Sequence, residues 1–142
     1  MSITPLGAAS LPEVKTLLEA NSLPTSDLTL EVRLLGEHEG GRLVGVVGLE
    51  ARGGAGLLRS LAVEPGRRGS GLGSGLVRAI EQAAASDGIT DLYLLTTTAE
   101  AFFARRGYRR VSRDAAPAGI RATAEFSSIC PSSSTCMTKR LG

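Results

Sequence analysis

The residues best suited to chemistry lie in one glycine-rich stretch, Leu57–Asp87, with the sequence LLRSLAVEPGRRGSGLGSGLVRAIEQAAASD. The apolar run Leu57–Val63 predicts a buried strand, and Leu72 begins an apolar pattern of helical spacing that extends to about Ala85. Between them lie alternate glycines at positions 69, 71, 73 and 75. Glycines before a helix expose backbone N–H groups, and the helix dipole adds about half a positive charge there. The stretch therefore predicts a binding site for a phosphate group.

Spacing separates this stretch from two other phosphate-binding loops. A P-loop requires the pattern GxxxxGK[ST], and no lysine follows any glycine in this chain. The dinucleotide fingerprint GxGxxG also fails, because its third glycine would fall on Ser74 or on Leu76. The pattern that fits is Arg68-x-x-Gly71-x-Gly73, placed after a strand that ends in LAV and before an amphipathic helix. A flexible turn rich in small residues is the plainer alternative.

This pattern resembles the acetyl-CoA motif [RQ]xxGx[GA] of the GNAT superfamily of N-acetyltransferases. In that family the loop amides cradle the CoA pyrophosphate, and a bulged strand before the loop pairs with the pantetheine. The resemblance implies that acetyl-CoA is the co-substrate. The residues it implies for acetyl-CoA binding are Leu61, Ala62, Val63, Arg68, Gly69, Ser70, Gly71, Leu72, Gly73 and Ser74.

The second half of the chain resembles the same family. The match lies in the strand Asp91–Thr96, the helix Ala99–Arg106 and the aromatic-x-x-x-Gly-aromatic signature from Phe103 to Tyr108. The common general acid of the family is a tyrosine at the position of Phe103, and phenylalanine donates no proton. The alternatives are Tyr108, a serine or threonine, a water molecule, or departure of the CoA thiolate without assistance.

The remaining segments predict strands and helices around one sheet. Hairpins at both ends favour antiparallel pairing, and the strand–helix–strand unit Leu57–Thr96 favours a parallel crossover. We therefore expect one α/β domain over residues 1–142, with a GNAT-like, mostly antiparallel central sheet and helices on both faces in three layers. The other predicted segments are a strand at Ser2–Leu6, a helix between Ser10 and Asn21, a short helical piece near Asp27–Leu30, strands at Val32–Glu37 and Arg42–Glu50 joined through His38–Gly41, a turn at Arg52–Gly56, a strand at Tyr108–Ser112, a loop with one helical turn at Ala115–Ala124, a loop at Ser127–Thr135 and a strand at Cys136–Leu141.

Acetyl transfer to an amine requires a group that removes the proton of the amine. Glu50 is the candidate base, because it ends an otherwise apolar strand; an ordinary charge at a strand end is the alternative. Glu64, at the mouth of the loop, is expected to be solvated or to stabilise the turn. His38 lies in the predicted hairpin and is expected to be solvated.

Arg59 is unusual because it lies inside the apolar run LLRSLAV. A two-residue alternation places it on the same face of the strand as Leu57, Leu61 and Val63. A strand-borne arginine among apolar neighbours requires a carboxylate partner, either within the protein or on a substrate. Arg59 is therefore a candidate for binding a substrate anion, with an internal ion pair as the alternative.

The tail Ile120–Met137 resembles a narrower group, the small acetyltransferases of bacterial arsenic-resistance operons. That group shares the runs LLRSLAV, LLTTTA, FFARRGY and RATAEFSS-x-CP. Arg121 and Glu125 are candidates for lining the acceptor pocket, or they pair with each other four residues apart. Cys130 and Cys136 suggest trivalent arsenic, but a soft metalloid site usually recruits three thiolates and the chain has two.

The composition excludes several other classes. The net charge of +2 is too small to indicate binding to nucleic acid or to a membrane surface. No apolar run approaches the roughly 20 residues that span a bilayer. The first residues show no signal-peptide pattern and two cysteines make no disulfide framework, so we expect a cytoplasmic protein. A single histidine gives no support to a metal site.

The function that these features favour is N-acetylation of a small-molecule amine, linked to resistance to arsenic or to another toxin. One alternative is acetylation of a peptide or protein amine. The other is an acetyl-CoA-binding regulator without catalysis, which the replacement of the family tyrosine by Phe103 favours. A homodimer is common in the family.

Overall fold

The computed structural model describes residues 3–23, 25, 32–67, 69, 71–126 and 134–141. The described chain mixes strands and helices around one sheet, as predicted. The elements are β1 (Thr4–Leu6), α1 (Leu11–Ala20), β2 (Arg33–Glu39), β3 (Arg42–Arg52), β4 (Ala55–Val63), α2 (Leu72–Ser86), β5 (Asp91–Thr96), α3 (Glu100–Ala104), β6 (Arg109–Val111), α4 (Ala118–Arg121) and β7 (Thr135–Arg140). Of the predicted segments, Asp27–Leu30 and all but the last two residues of Ser127–Thr135 lie outside the described residues.

The strands form a seven-stranded sheet in the order β1-β2-β3-β4-β5-β7-β6. The pairs β1–β2, β2–β3, β5–β7 and β6–β7 are antiparallel. The pair β4–β5 is parallel, because α2 carries the chain back across the sheet between them. The mixed, mostly antiparallel sheet predicted from the order of elements is confirmed.

The hairpin between β2 and β3 turns on two glycines. Gly40 and Gly41 have φ angles of 59° and 78°, and Glu39 pairs with Arg42 across the turn. Two consecutive left-handed residues close a two-residue hairpin whose twist matches that of its strands. The strands are therefore longer, and the turn shorter, than the sequence predicted.

Two other boundaries differ from the prediction. The turn predicted at Arg52–Gly56 is confined to Gly53 and Gly54, because Ala55 and Gly56 pair with β5 as the start of β4. Helix α3 ends at Ala104 instead of Arg106. It ends early because the N–H of Tyr108 returns to the carbonyl of Phe103 at 3.2 Å, with Gly107 at a φ angle of 93°.

Contacts divide the chain into two compact units, Met1–Glu50 with Leu58–Ala83, and Ala51–Leu57 with Ala84–Gly142. Each unit contains an apolar cluster. In the first unit the buried members are Val14, Leu17, Leu18, Val32, Leu34, Leu43, Val46 and Ala62. In the second they are Ala55, Leu57, Ala116, Ile120, Phe126 and Cys136. In the described part of the chain, no helix has both the length and the apolar character needed to cross a membrane.

In the first unit, helices cover both faces of the sheet. Val46 of β3 packs in the cluster that contains the buried residues of α1. Its neighbour Gly45 points the other way, and a Cβ atom built on it lies 2.9 Å from Leu76 and 3.0 Å from Leu72 of α2. The absence of a side chain at position 45 therefore lets the first turns of α2 approach the sheet.

We predict opposite effects of alanine at two glycines of this region. Gly45→Ala should lower the free energy of unfolding by about 1–3 kcal/mol, because the new methyl group overpacks the contact with α2. Gly75→Ala, within α2, is the matched control: its Cβ atom meets only Ile3 at 3.6 Å. It should raise the free energy of unfolding by about 0.5–1 kcal/mol through helix propensity. Equilibrium urea unfolding measures both, and unchanged stability of Gly45→Ala would contradict the packing argument.

Candidate active site

Strand β4 changes its backbone conformation at Ser60. The φ angle of Ser60 is 58°, in the left-handed region that residues other than glycine rarely adopt. Such a residue within a strand marks a bulge-like interruption of the alternation of side chains. The interruption lies just before Leu61–Val63, where the family resemblance implies a bulged strand.

The interruption corrects the face predicted for Arg59. A Cβ atom built on Gly48 lies 3.3 Å from the Cγ atom of Arg59 and 3.2 Å from Leu34. Leu34 packs with Ala62 in the apolar cluster of the first unit. Arg59 therefore shares its face with Ala62, and not with Leu61 and Val63, because the left-handed residue shifts the two-residue alternation.

Arg59 has a carboxylate partner within the protein. Its Nη1 atom donates to the Oε1 atom of Glu50 at 2.6 Å, and the two side chains are 0% and 9% exposed. Burying a charge is strongly unfavourable unless it is paired and hydrogen-bonded. The sequence left two partners possible for Arg59, a carboxylate within the protein or one on a substrate. The structure shows the internal partner, Glu50, and this pairing counts against Arg59 as an anchor for a substrate anion.

Ser60 extends this ion pair into a buried chain of three polar residues. The Nε atom of Arg59 donates to the Oγ atom of Ser60 at 3.1 Å. Ser60 is 8% exposed, and Gly48 leaves room for the arginine stem. Ser60 could not be recognised from the sequence, because nothing in the residue type signals a left-handed conformation at that position.

The glycine loop leads into α2 through left-handed backbone. Gly69 and Gly71 have φ angles of 81° and 85°, and among the described residues a Cβ atom on either would meet no atom within 4 Å. Helix α2 begins at Leu72, and the N–H of Gly75 donates to the carbonyl of Gly71 at 3.1 Å. The first four N–H groups of a helix have no partner within it, so this end of α2 fits an anionic group. Arg68 and Ser70 lie outside the described residues.

Two ion pairs flank the loop. Arg42 binds the carboxylate of Glu64 through two contacts, at 2.8 Å and 2.9 Å, and Arg67 binds Glu39 at 2.6 Å. The hydrogen bond from Arg42 holds the pKa of Glu64 below its usual value. The N–H of Glu64 also donates to the carbonyl of Val44 at 2.8 Å. The carboxylate of Glu64 is therefore held by an ion pair with β3, and its backbone carbonyl accepts the N–H of Arg67 at 2.8 Å.

Arg121 and Glu125 lie in the second unit, in and just after α4. The Nε atom of Arg121 donates to the carbonyl of Ala116 at 3.0 Å. The side chain of Arg121 is exposed, whereas Glu125 is buried. A place for either residue in an acceptor pocket stays a prediction.

Phe103 belongs to an aromatic group in the second unit. Its ring meets Phe102 and Tyr108 edge to face, with centroids at 5.1 Å and 5.4 Å. Phe103 and Tyr108 are both buried. The position at which the family carries a tyrosine is therefore filled here by apolar packing.

Cys136 is buried in the apolar cluster of the second unit. Burial raises the pKa of its thiol, although the nearby charge of Arg113 opposes the shift. Cys130 lies outside the described residues. Within the described ranges, no three histidine, cysteine, aspartate or glutamate side chains are grouped so that they could hold a metal ion.

We predict that Cys136 is unreactive in the folded protein. In a Cys130→Ser background Cys136 is the only cysteine, and its raised pKa and burial leave little accessible thiolate at pH 8. Titration with a disulfide reagent should proceed at least about a hundredfold more slowly than in 6 M guanidinium chloride. Rapid labelling of the native protein, or its protection by trivalent arsenite, would contradict the assignment of Cys136 to the core.

Comparison with solved structures finds the same fold in several acetyltransferases. N-acetylglutamate synthase from Neisseria gonorrhoeae, complexed with coenzyme A and N-acetyl-glutamate, matches with a TM-score of 0.81 at 24% identity, over 100% of this chain and 36% of that one. Rv2747 from Mycobacterium tuberculosis, in complex with CoA and NLQ, matches with a TM-score of 0.81 at 21% identity over 100% of both chains. An aminoglycoside 6'-N-acetyltransferase complexed with coenzyme A matches with a TM-score of 0.75 at 18% identity, over 100% of this chain and 98% of that one.

These likenesses show the fold, and the chain spans only about a third of the length of the Neisseria synthase. A comparison with curated proteins finds no match in sequence. The model of the acetyltransferase (GNAT) domain matches residues 32–110, which is more than half of the chain. The matched range contains β2 to β5, the glycine loop, α2 and α3. The chain therefore belongs to the GNAT acetyltransferase family.

Proposed function

We propose that residues 1–142 form a single acetyl-CoA-dependent N-acetyltransferase domain that acts on the amine of a small molecule. The observation that carries the proposal is the left-handed backbone at Gly69 and Gly71, whose Cβ positions are open among the described residues, at the start of a fifteen-residue helix in a chain of the GNAT family. The alignment with Rv2747 over the full length of both chains supports a single domain.

Acetyl-CoA supplies an acetyl group activated as a thioester. The residues proposed to hold it are Arg68–Ser74, which would bind the pyrophosphate through backbone N–H groups, and Leu61–Val63, whose backbone would bind the pantetheine. Among the described residues, the register of β4 with β5 ends at Leu57. The backbone of Leu61–Val63 therefore lies beyond that pairing, which supports its use by the donor. An N–H group there would donate to the thioester oxygen as negative charge develops on it.

Glu50 is the proposed base. Its carboxylate is held at Oε1 by Arg59 and is largely shielded from water. A positioned carboxylate that accepts the proton of the substrate ammonium leaves a neutral amine, which is the form that attacks the thioester. Arg59 serves this carboxylate and does not bind a substrate anion. The side chain at position 103 donates no proton, so the CoA thiolate leaves with a proton from Tyr108, from a serine or threonine or from water, or with none.

The acceptor half of the proposal rests on the tail. We place Arg121 and Glu125 at the acceptor, and the resemblance of the tail to acetyltransferases of arsenic-resistance operons links the acceptor to an amino-bearing arsenical or another toxic amine. The solved relatives include a glutamate-acetylating synthase and an aminoglycoside acetyltransferase. The shared fold therefore does not identify the acceptor. We further propose that the protein is cytoplasmic and can form a homodimer. We also propose that it binds neither nucleic acid nor membranes.

A second candidate function is a regulator that binds acetyl-CoA without turnover. The aromatic packing around Phe103 favours it, because no acid from that position assists the leaving group. A thiolate is a good leaving group, so the enzymatic proposal does not depend on this acid. Acetylation of a peptide or protein amine remains the other enzymatic alternative.

We predict that Gly71→Ala weakens the binding of acetyl-CoA. The methyl group would occupy the open space in front of the helix and would strain a residue at a φ angle of 85°. Isothermal titration should show a Kd increased by about tenfold, equivalent to about 1.4 kcal/mol. Gly88→Ala is the matched control, since Gly88 has a φ angle of 81°, an open Cβ position and no part in the loop. Equal Kd values for both variants would contradict the proposal that the glycine loop binds acetyl-CoA.

We predict that Glu50→Gln lowers kcat by about 10²–10⁴-fold, the range for loss of a general base. The assay measures the release of CoA thiol with a panel of an amino-bearing organoarsenical, glutamate, an aminoglycoside and a peptide with a free N-terminus. Glu19→Gln is the control, because Glu19 is exposed on α1. Binding of acetyl-CoA without thiol release from any amine would favour the regulator. A normal kcat for Glu50→Gln would contradict the role of Glu50 as the base without contradicting the acetyltransferase activity.

A further inference from the structure

We propose that Arg59 and Ser60 are positioning residues that set the orientation of the Glu50 carboxylate, and that the left-handed backbone of Ser60 couples this carboxylate to the donor-binding strand. The inference rests on the proposed function, in which Glu50 is the base. It adds a role for the hydroxyl group and the backbone of Ser60, neither of which touches the reacting atoms.

The guanidinium of Arg59 transmits orientation because it is planar and rigid. Its Nε atom donates to Ser60 Oγ at 3.1 Å, and its Nη1 atom donates to Glu50 Oε1 at 2.6 Å. Once the Nε contact fixes the plane of the group, the direction of Nη1 follows. The direction in which Arg59 holds the carboxylate of Glu50 therefore depends in part on Ser60, although Ser60 and Glu50 belong to different strands.

Burial makes the hydrogen-bonded series of Ser60, Arg59 and Glu50 rigid. Ser60, Arg59 and Glu50 are 8%, 2% and 7% exposed. The Cγ atom of Arg59 lies against the bare face of Gly48, where an added Cβ atom would approach it to 3.3 Å. A side chain packed in this way has few alternative rotamers. The two hydrogen bonds are therefore maintained without much further loss of conformational entropy.

The contact from Ser60 to its own neighbour depends on the left-handed backbone. In a regular strand the side chains of consecutive residues point to opposite faces. The φ angle of 58° breaks that rule and brings the hydroxyl to the side of Arg59. Serine in this conformation is uncommon and unfavourable compared with glycine, and the hydroxyl contact gives a reason for serine at this position.

The same residue begins the segment proposed to bind the pantetheine. Leu61–Val63 follow Ser60 directly, so a donor that pairs with their backbone also restrains the backbone at Ser60. Donor binding and base placement would then share one residue. A change that removes the hydroxyl but keeps the backbone should affect the chemical step and spare the binding of the donor.

Ser60→Gly makes this change, because glycine adopts a positive φ angle without strain. We expect kcat with the best acceptor of the panel to fall about tenfold, which is a smaller loss than removal of the base itself. The Kd for acetyl-CoA should stay within about twofold of the wild-type value. Ser22→Gly is the matched control, since Ser22 has the same φ angle of 58° but lies exposed after α1. It should leave both quantities unchanged.

A second readout does not depend on activity. Equilibrium unfolding of Ser60→Gly, Glu50→Gln and the double variant tests whether the hydroxyl and the carboxylate are coupled. We expect the effects on the unfolding constant to depart from multiplicativity by at least about threefold, as for residues in one hydrogen-bonded network. The same cycle between Ser22→Gly and Glu50→Gln should be multiplicative.

The outcomes separate this inference from the proposed function. A normal kcat for Ser60→Gly together with a large loss for Glu50→Gln would overturn the positioning role and keep Glu50 as the base. Multiplicative unfolding constants would also overturn it. A normal kcat for Glu50→Gln would overturn the base and the positioning role together. A loss of kcat in Ser60→Gly with a tenfold weaker Kd would assign Ser60 to donor binding and would overturn the separation proposed here.

Discussion

A buried ion pair is the constraint on which the centre of the first unit depends. Arg59 lies at 2% exposure within an apolar strand, where an unpaired guanidinium would lose several kcal/mol of hydration. Pairing with Glu50 offsets this loss only when geometry and further hydrogen bonds are good. Gly48 and the left-handed Ser60 provide them. The left-handed backbone of Ser60 therefore does more than interrupt β4, because it also brings a hydrogen-bond acceptor to the buried charge of Arg59.

Glycine serves two different purposes around α2, and composition alone does not distinguish them. At position 45 the missing side chain allows the helix to approach the sheet. At positions 69 and 71 positive φ angles bring the chain to the helix start with its backbone uncovered. Gly75 lies within the helix in ordinary contact distance of Ile3. The helix is therefore held close to the sheet while its first turn stays accessible.

The sequence predicted the elements well where periodicity decides the structure. The apolar spacing of α1 and α2 gave the right segments, because burial of one face determines them. The strand start at Ala55 was missed, since Ala-Gly has little strand propensity and only pairing with β5 recruits it. Ser60 and the pairing of Arg59 with Glu50 depend on contacts between strands. Apart from the unusual arginine within an apolar run, the sequence contains no signal for the conformation of Ser60 or for the pairing of Arg59 with Glu50.

The aromatic packing of Phe103 has a consequence for the choice of acyl donor. Tyr108 and Phe102 surround the ring edge to face, so a hydroxyl group at that position would enter apolar surroundings. Under the proposed function, the rate then depends on how well the leaving group carries negative charge by itself. Thiolates do this well and alkoxides do it poorly. The chain would thus discriminate thioesters from oxygen esters of the same acid, because Phe103 supplies no proton to the leaving group.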